Sequence, residues 1–430
     1  MPLQNLDTQV VDRATSFPHR PRSEWTGDGV PPNLSVLIAS TASGGGHVRA
    51  AEALLAACRA QGIPAIHHEV LQYTNPLFRR VYADYYTAAV RHCPEVLGWL
   101  YRVLDHPGRL QSARRTFDAL QTRTFQQMVW AAHPSVILCT HFLPAEVLTR
   151  CQTAGKPAAR IGLVVTDFDV HPLWVYPGVE WYFVATAEAA AHLHALGVPA
   201  ASIHITGIPI DPVFAVPRNQ RSARARLGLA PDRPTILVTA GGCGMGPLAD
   251  LVQLLGRVSQ PVQIVVLCGT DARLRRRLAD QRSRHPLTVI GPTNDMDGWM
   301  AAADLVVGKA GGLTTAEALA RAVVPVFAGP LPGLEVRNSA ILIQAGAAVR
   351  CPTLSAVPAL VDGLLADPAR LAQIRQAGAR LARPHAAAAI MAILAAAVGQ
   401  GCPDRSDGTY DTLWNRYFGE VETMLLRREG

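Results

Sequence analysis

Aromatic and charged side chains are both scarce in this chain, at 6% and 17% of 430 residues. So few aromatics do not suit an aromatic-rich β sandwich. Plentiful Ala, with 35 Gly and 32 Pro, favours small-residue packing of helices on sheets. The eight cysteines, Cys58, Cys93, Cys139, Cys151, Cys243, Cys268, Cys351 and Cys402, include no CxxC pair. Several lie in apolar runs, as reduced thiols of a cytoplasmic protein do. No apolar core marks the N-terminus as a secretory signal. No apolar stretch reaches the roughly 18 residues of a membrane-spanning helix. The longest, Ala386 to Val398, is Ala-rich and reads as a packed helix. GxSxG, HExxH and Walker A patterns are missing, which disfavours serine hydrolases, zincins and P-loop kinases. Zinc-finger spacing and RNP-like aromatic motifs are missing too. The net charge of +7 and pI near 9.1 therefore point away from nucleic acid, toward a phosphorylated substrate or an anionic membrane.

What is present is a strand, glycine turn and helix, repeated. Residues 1–32 are polar and aperiodic and are predicted to be disordered or extended. Leu34–Ala39 then leads through glycines into a helical stretch from about Val48 to Arg59. Buried-strand runs follow at Ile66–Val70, Val136–Thr140, Arg160–Val165 and Trp181–Ala185, with a long helical region over about Leu77 to Ala132. Gly and Pro punctuation over Ile203–Pro212 reads as a linker. The alternation restarts at Pro234–Thr239 and continues with Val262–Cys268, Leu287–Ile290, Leu305–Val307 and Val324–Phe327. The pattern predicts two α/β, Rossmann-like domains, over 33–210 and 211–400, followed by an extension of unknown role over 401–430.

Three glycine clusters follow strands. In Ser43-Gly44-Gly45-Gly46-His47 the glycines allow close backbone approach, and His47 falls at the mouth of a helix facing the ligand crevice. An imidazole there suits a general base, and equally a loop histidine capping a turn. Gly241-Gly242-Cys243-Gly244-Met245-Gly246 lacks a full dinucleotide fingerprint because Pro247 takes the last glycine's place. It reads as a phosphate-contacting loop through Gly242 and Gly244. The third, Gly308 to Glu317, offers Gly311, Gly312, Leu313, Thr314 and Thr315 at a helix start and Glu317 one turn inside. Backbone N–H groups and hydroxyls there suit a diphosphate, and the carboxylate suits a ribose diol. A capping Thr with an acidic first turn explains the Thr and Glu without a ligand, but not the glycine pair.

Two further stretches end strands. Glu335 and Asn338 sit one helical turn apart and can share a face toward sugar hydroxyls; a solvated helix start fits the spacing better. Asp167 and Asp169 form a DxD pair ahead of His171 and Trp174. Two carboxylates can bind a hard cation, but Asp167 orienting a histidine, or sharing its proton, is the simpler reading. His171 and Trp174 can line an acceptor mouth.

These motifs, with Cys139-Thr140-His141-Phe142-Leu143-Pro144 between them, occur in an order that resembles the monogalactosyldiacylglycerol synthases and the processive diacylglycerol glucosyltransferases. More distantly they resemble the transferase that adds N-acetylglucosamine to the lipid-linked peptidoglycan precursor. The resemblance covers about Leu34 to Val398. It implies a GT-B architecture of two facing Rossmann-like domains, the first taking a lipid acceptor and the second a UDP-hexose, with inversion at the anomeric carbon. His47 is then the base, with Asp167 second, and Gly45, Gly46, His141, His171 and Trp174 lie on the acceptor side. Gly311, Gly312, Thr314 and Thr315 fall at the diphosphate, Leu313 on the donor side with them, Glu317 at the ribose, Glu335 and Asn338 near the sugar, and Ile290 and Gly291 at the uracil. No metal or other cofactor is implied. Two positions depart from the family pattern: Leu334 stands where Gln is usual, which leaves donor-sugar choice open, and Ala310 replaces a Pro. The Arg- and aromatic-bearing region 73–130 is expected to meet an anionic membrane peripherally from the cytoplasmic side, although a helix covering its own domain shows the same pattern. The rival readings are a transferase for another lipid or natural-product acceptor, a UDP-sugar epimerase, and a non-catalytic sugar-nucleotide or lipid-binding protein.

Overall fold

The computed structural model describes residues 31, 33–42, 45–76, 79, 121–153, 159–239, 248–329 and 334–399. Strands β1 (Val36–Ser40), β2 (Ala65–Glu69), β3 (Val136–Cys139), β4 (Arg160–Val164), β5 (Val179–Val184) and β6 (Ile203–Ile205) form one parallel sheet. Its order is β2-β1-β3-β4-β5-β6. Strands β7 (Thr235–Thr239), β8 (Gln263–Leu267), β9 (Leu287–Ile290), β10 (Leu305–Gly308), β11 (Val324–Phe327) and β12 (Val349–Arg350) form a second, ordered β12-β11-β10-β7-β8-β9. Runs such as Val-Leu-Ile-Ala-Ser and Gln-Ile-Val-Val-Leu are buried at every position. Parallel strands covered by helices on both faces require this, and a half-exposed alternating strand would not show it.

The first sheet carries helices α1 (Gly45–Ala60), α2 (Arg123–Ala132), α3 (Phe142–Thr153) and α4 (Ala187–Ala195). The second carries α5 (Gln220–Arg226), α6 (Leu248–Leu255), α7 (Ala272–Ala279), α8 (Met296–Ala302), α9 (Gly312–Ala320), α10 (Leu334–Gln344), α11 (Val357–Leu365) and α12 (Pro368–Leu381). Helix α13 (Ala386–Gly399) ends the described chain. The segment 368–399 is apolar and long enough to cross a membrane by length and composition. The chain turns extended at Ala382 between α12 and α13, and Ile390, Met391 and Leu394 are wholly buried.

In doubly wound sheets a crevice opens where the strand order reverses. That point lies between β1 and β3 in the first sheet and between β7 and β10 in the second. The backbones are close at the second: a Cβ on Gly308 would lie 2.0 Å from the Thr239 carbonyl oxygen. Phe168, Ala185 and Ile208 from the first array share a buried cluster with Ala310, Leu319, Phe327 and Leu342 from the second.

Three features differ from the sequence reading. Ile203–Ile205, read as part of a linker, pairs with β5 as the sixth strand. Its three residues are too few to show a period. Helix α1 begins at Gly45 rather than near Val48, so His47 lies inside its first turn. Helix α13, grouped by sequence with the second array, packs on the first: Ala387, Ile390, Met391 and Leu394 cluster with Val36, Ile38, Leu54 and Cys58. Of the region 73–130, residues 77–78 and 80–120 lie outside the described residues, as do Ser43, Gly44, 1–30 and the extension 401–430.

Candidate active site

His47 sits at the first sheet's switch point, at the start of the helix that follows β1. Its partners come from the ends of β3 and β4. Nδ1 lies 2.8 Å from the Thr140 carbonyl oxygen and 2.9 Å from Thr166 Oγ1. A carbonyl only accepts, so Nδ1 carries the proton and Nε2 keeps its lone pair. Thr140 Oγ1 donates back to the His47 carbonyl at 2.9 Å, which pins ring and backbone together. Burial lowers the His47 imidazole to about 4, against the opposing pull of the Thr140 carbonyl. The ring is therefore neutral at ordinary pH.

The other residues read as acceptor-side divide by burial. The His141 ring meets His47 edge-on with centroids 4.6 Å apart. Its Nδ1 accepts from the Leu143 backbone N–H at 3.1 Å, and burial, then His47, hold it well below the usual histidine range. Trp174 is 2% exposed and stands 6.3 Å from both rings, as a floor beneath them. His171 accepts from the Leu173 N–H at 3.2 Å and caps the short turn Pro172–Trp174. Gly45 and Gly46 open α1. A Cβ on Gly46 would meet only Leu313 Cβ, at 3.8 Å, so space does not demand glycine there.

Across the crevice stands α9. Gly311 caps it with no side-chain hydrogen bond, since a glycine cap offers no acceptor to the first-turn N–H groups. Thr314 is half-buried; Thr315 and Glu317 are buried. Burial raises the Glu317 carboxyl to about 7, opposed by Arg49 and reinforced by Asp211 and Asp297. Arg49 reaches it from α1, with Nη2 4.0 Å from Glu317 Oε1. Lys309 Nζ bonds Glu335 Oε1 at 2.8 Å, while Glu335 Oε2 is buried with no partner among the described residues. Burial raises the Glu335 carboxyl and Lys309 opposes it. Ile290 and Gly291 lie at the carboxyl end of edge strand β9, where a Cβ on Gly291 would meet Arg275 Nη1 at 2.8 Å. Leu334 opens α10. Gly242 and Gly244 lie outside the described residues.

Asp167 and Asn338 occupy other places than their spacing suggested. Asp167 was read as orienting a histidine, yet its Oδ1 accepts from Asn338 Nδ2 at 2.7 Å. Burial raises its carboxyl, and the Asn338 bond and Lys309 oppose that. The carboxylate–imidazole pair that forms is Asp169 with His192, at 2.5 Å. Successive side chains of the DxD pair thus turn to different partners. Asn338, read as a sugar contact, is wholly buried. Its Oδ1 accepts from Phe168 N–H at 2.8 Å, and its Nδ2 also donates to the Ala310 carbonyl at 3.1 Å. Beyond the sequence reading, Thr140, Thr166, Lys309 and Arg49 belong to the site. Two ordinary strand-end threonines carry no local signal of a nonlocal partner; only the family stretch around each marked the place.

Residues 47–210 match the family model described as monogalactosyldiacylglycerol (MGDG) synthase. The processive diacylglycerol beta-glucosyltransferase of Staphylococcus aureus strain JH9 is 28% identical over 321 residues, 73% of this chain and 80% of that protein. Among solved structures, MurG of Acinetobacter baumannii superposes with a TM-score of 0.53 at 17% identity, over 84% of this chain and 99% of that one. Anabaena HepE in complex with UDP does so at 0.51 and 11%, over 85% and 100%. The sheets, their switch points and the matched segment agree: this chain has the GT-B fold, and over residues 47–210 it is similar to the monogalactosyldiacylglycerol synthase family.

Proposed function

We propose that the protein moves a hexose from a UDP-hexose to the hydroxyl of diacylglycerol, with inversion at the anomeric carbon, while held peripherally at the cytoplasmic face of a membrane. The observation that carries this reading is the His47 tautomer. The Thr140 carbonyl holds the proton on Nδ1 and leaves Nε2 as acceptor, opposite a helix start with no side-chain cap.

The reaction is a single displacement. The acceptor oxygen donates a lone pair to the anomeric carbon and loses its proton to His47 Nε2. The bond from that carbon to the diphosphate oxygen breaks, and its electron pair leaves with UDP from the opposite face. A weakly basic imidazole serves because the hydroxyl proton turns acidic only as the new bond forms. A bound diphosphate anion also raises the histidine toward neutrality. Charge gathering on the leaving group falls on the N–H groups opening α9. Glu317 accepts from the ribose diol, and Glu335 Oε2 takes a sugar hydroxyl. Closing the cleft aligns the partners and excludes water that would hydrolyse the donor.

Turnover of UDP-glucose and UDP-galactose with diacylglycerol vesicles tests the reading and identifies the sugar. His47→Ala is expected to lower kcat by about 10²- to 10⁴-fold with UDP affinity kept. Turnover unchanged by that substitution removes the base assignment. Sugar conversion without any acceptor supports an epimerase instead. Binding to anionic vesicles that salt reverses is expected of peripheral docking; indifference to lipid charge counts against it.

A further inference from the structure

The second array grips the turn that holds the base. Thr166, whose hydroxyl lies 2.9 Å from His47 Nδ1, begins a turn running to Asp169. Two elements of the other sheet's array close on it. At one end, a Cβ on Gly312 would lie 1.9 Å from the Thr166 carbonyl oxygen, so α9 starts against that peptide. At the other, Asn338 of α10 holds Asp167 Oδ1 and the Phe168 N–H at 2.7 and 2.8 Å. Its Oδ1 is also 3.4 Å from the Asp169 N–H. Arg337 adds a bond to the Val170 carbonyl at 3.3 Å. Asn338 is wholly buried, and its oxygen and nitrogen are both engaged by this turn and Ala310.

We propose that Asn338 and Thr166 are positioning residues that couple closure of the donor-side array to alignment of His47. The coupling rests on the reading of His47 as the base. When α10 is seated, Asn338 fixes the turn, the turn fixes the Thr166 hydroxyl, and that hydroxyl with the Thr140 carbonyl holds the imidazole with Nε2 toward the acceptor. When the arrays part, the turn loses Asn338 and the ring keeps only Thr140. The base is thus aligned only once the donor half has closed, which limits proton abstraction in the open enzyme.

Steady-state kinetics on the full chain test this, with UDP-hexose and diacylglycerol vesicles, for Asn338→Ala, Thr166→Val, their double variant and His47→Ala. Each single variant is expected to lower kcat at least 10-fold with donor KM within threefold. The double variant is expected to fall no further than the worse single one, because both act through one contact. Thr166→Ser, which keeps the hydroxyl, is expected to retain most of kcat. The acid limb of the kcat profile is expected to move up in Asn338→Ala, as the loosened site admits water to the imidazole; a purely structural defect lowers the melting temperature and leaves the limb in place. A donor KM raised 10-fold with kcat kept makes Asn338 a sugar ligand and overturns the coupling. Losses that multiply in the double variant overturn it as well. Full turnover in His47→Ala overturns the base reading and the coupling together, whereas an inactive His47→Ala beside either of the preceding outcomes overturns the coupling alone.

Discussion

Glu317 is the residue at which charge and burial conflict most plainly. It is 3% exposed, with one arginine, Arg49, 4.0 Å away. Burial lifts its carboxyl to about 7, while His47 falls to about 4. The two shifts act on different kinetic constants. On the proposed reading, a ribose diol that donates to the carboxylate favours its charged form, so the donor is expected to bind best above pH 7 and more weakly as the free enzyme takes up that proton. Accordingly, kcat/KM for the donor is expected to fall below about pH 7, whereas kcat persists until the donor-bound enzyme protonates its base. Glu317→Gln is expected to flatten the first limb and raise donor KM several-fold; a limb that stays at the same pH assigns it to another group. The shift is also a stability statement. The folded state keeps a proton that the unfolded chain releases above its ordinary value of 4.5, so stability present below that pH is lost as pH rises through about 7. At about 1.4 kcal/mol per unit, the loss is on the order of 3 kcal/mol. Melting curves are therefore expected to show Glu317→Gln stabilising the protein at pH 8 relative to its effect at pH 5.

At the scale of elements, helix starts and strand ends approach one another more closely than side chains allow. Gly308 and Gly312 face the same kind of obstacle, a carbonyl oxygen 2.0 or 1.9 Å from where a Cβ would be. The consequences differ because the obstacles belong to different bodies. Gly308 meets Thr239 on the adjacent strand, between β10 and β7 of one sheet, and that sheet cannot open without unfolding. Gly308→Ala is expected to cost about 1–3 kcal/mol or more, read by urea unfolding. Gly312 meets Thr166 of the other array, where the proposed opening of the crevice would relieve the contact. Gly312→Ala is expected to leave the unfolding midpoint nearly unchanged and lower kcat more than 10-fold; the reverse pattern would place that contact inside a rigid core. The need for glycine before α9 was legible in the sequence, since capping explained the Thr and Glu but not the pair. Its cause was not, because the carbonyl that demands it lies far away in the chain. Spacing likewise placed Glu335 and Asn338 on one face of α10, but could not say that one pairs with Lys309 and the other with the opposite array.

Across the whole molecule, the two sheets were readable because a strand buried on both faces leaves an unbroken apolar run. Strand order and switch points are not fixed by those runs, since right-handed crossovers allow more than one order, and they come from the pairing of the strands in space. Nor could it be read where the chain goes last. An Ala-rich helix without a polar stripe says that it is buried, not against which sheet. It crosses back: Leu394, Ile390 and Met391 fill the face of the first sheet lined by α1, and Cys58 Sγ lies 3.1 Å from Met391 Sδ. Arg160 Nη1 ties the helix end to β4 through the Ala397 carbonyl at 3.0 Å. The return has a mechanical consequence. The arrays are joined both before β7 and after α12, and these crossings touch, since a Cβ on Gly207 would lie 2.3 Å from Arg383 Cβ. Paired crossings confine relative motion of the arrays to a narrow range, which suits a crevice that opens and closes around a substrate. Loosening α13 should therefore injure the first sheet and the closure together, while leaving the core of the second. Leu394→Ala is expected to cost about 2–5 kcal/mol, with hydrogen exchange rising in β1, α1 and β3 and staying near its original level in β7 and β10. Equal loss of protection in both sheets would mean that the arrays unfold as one unit, and that the crossing is a fixed weld rather than a hinge.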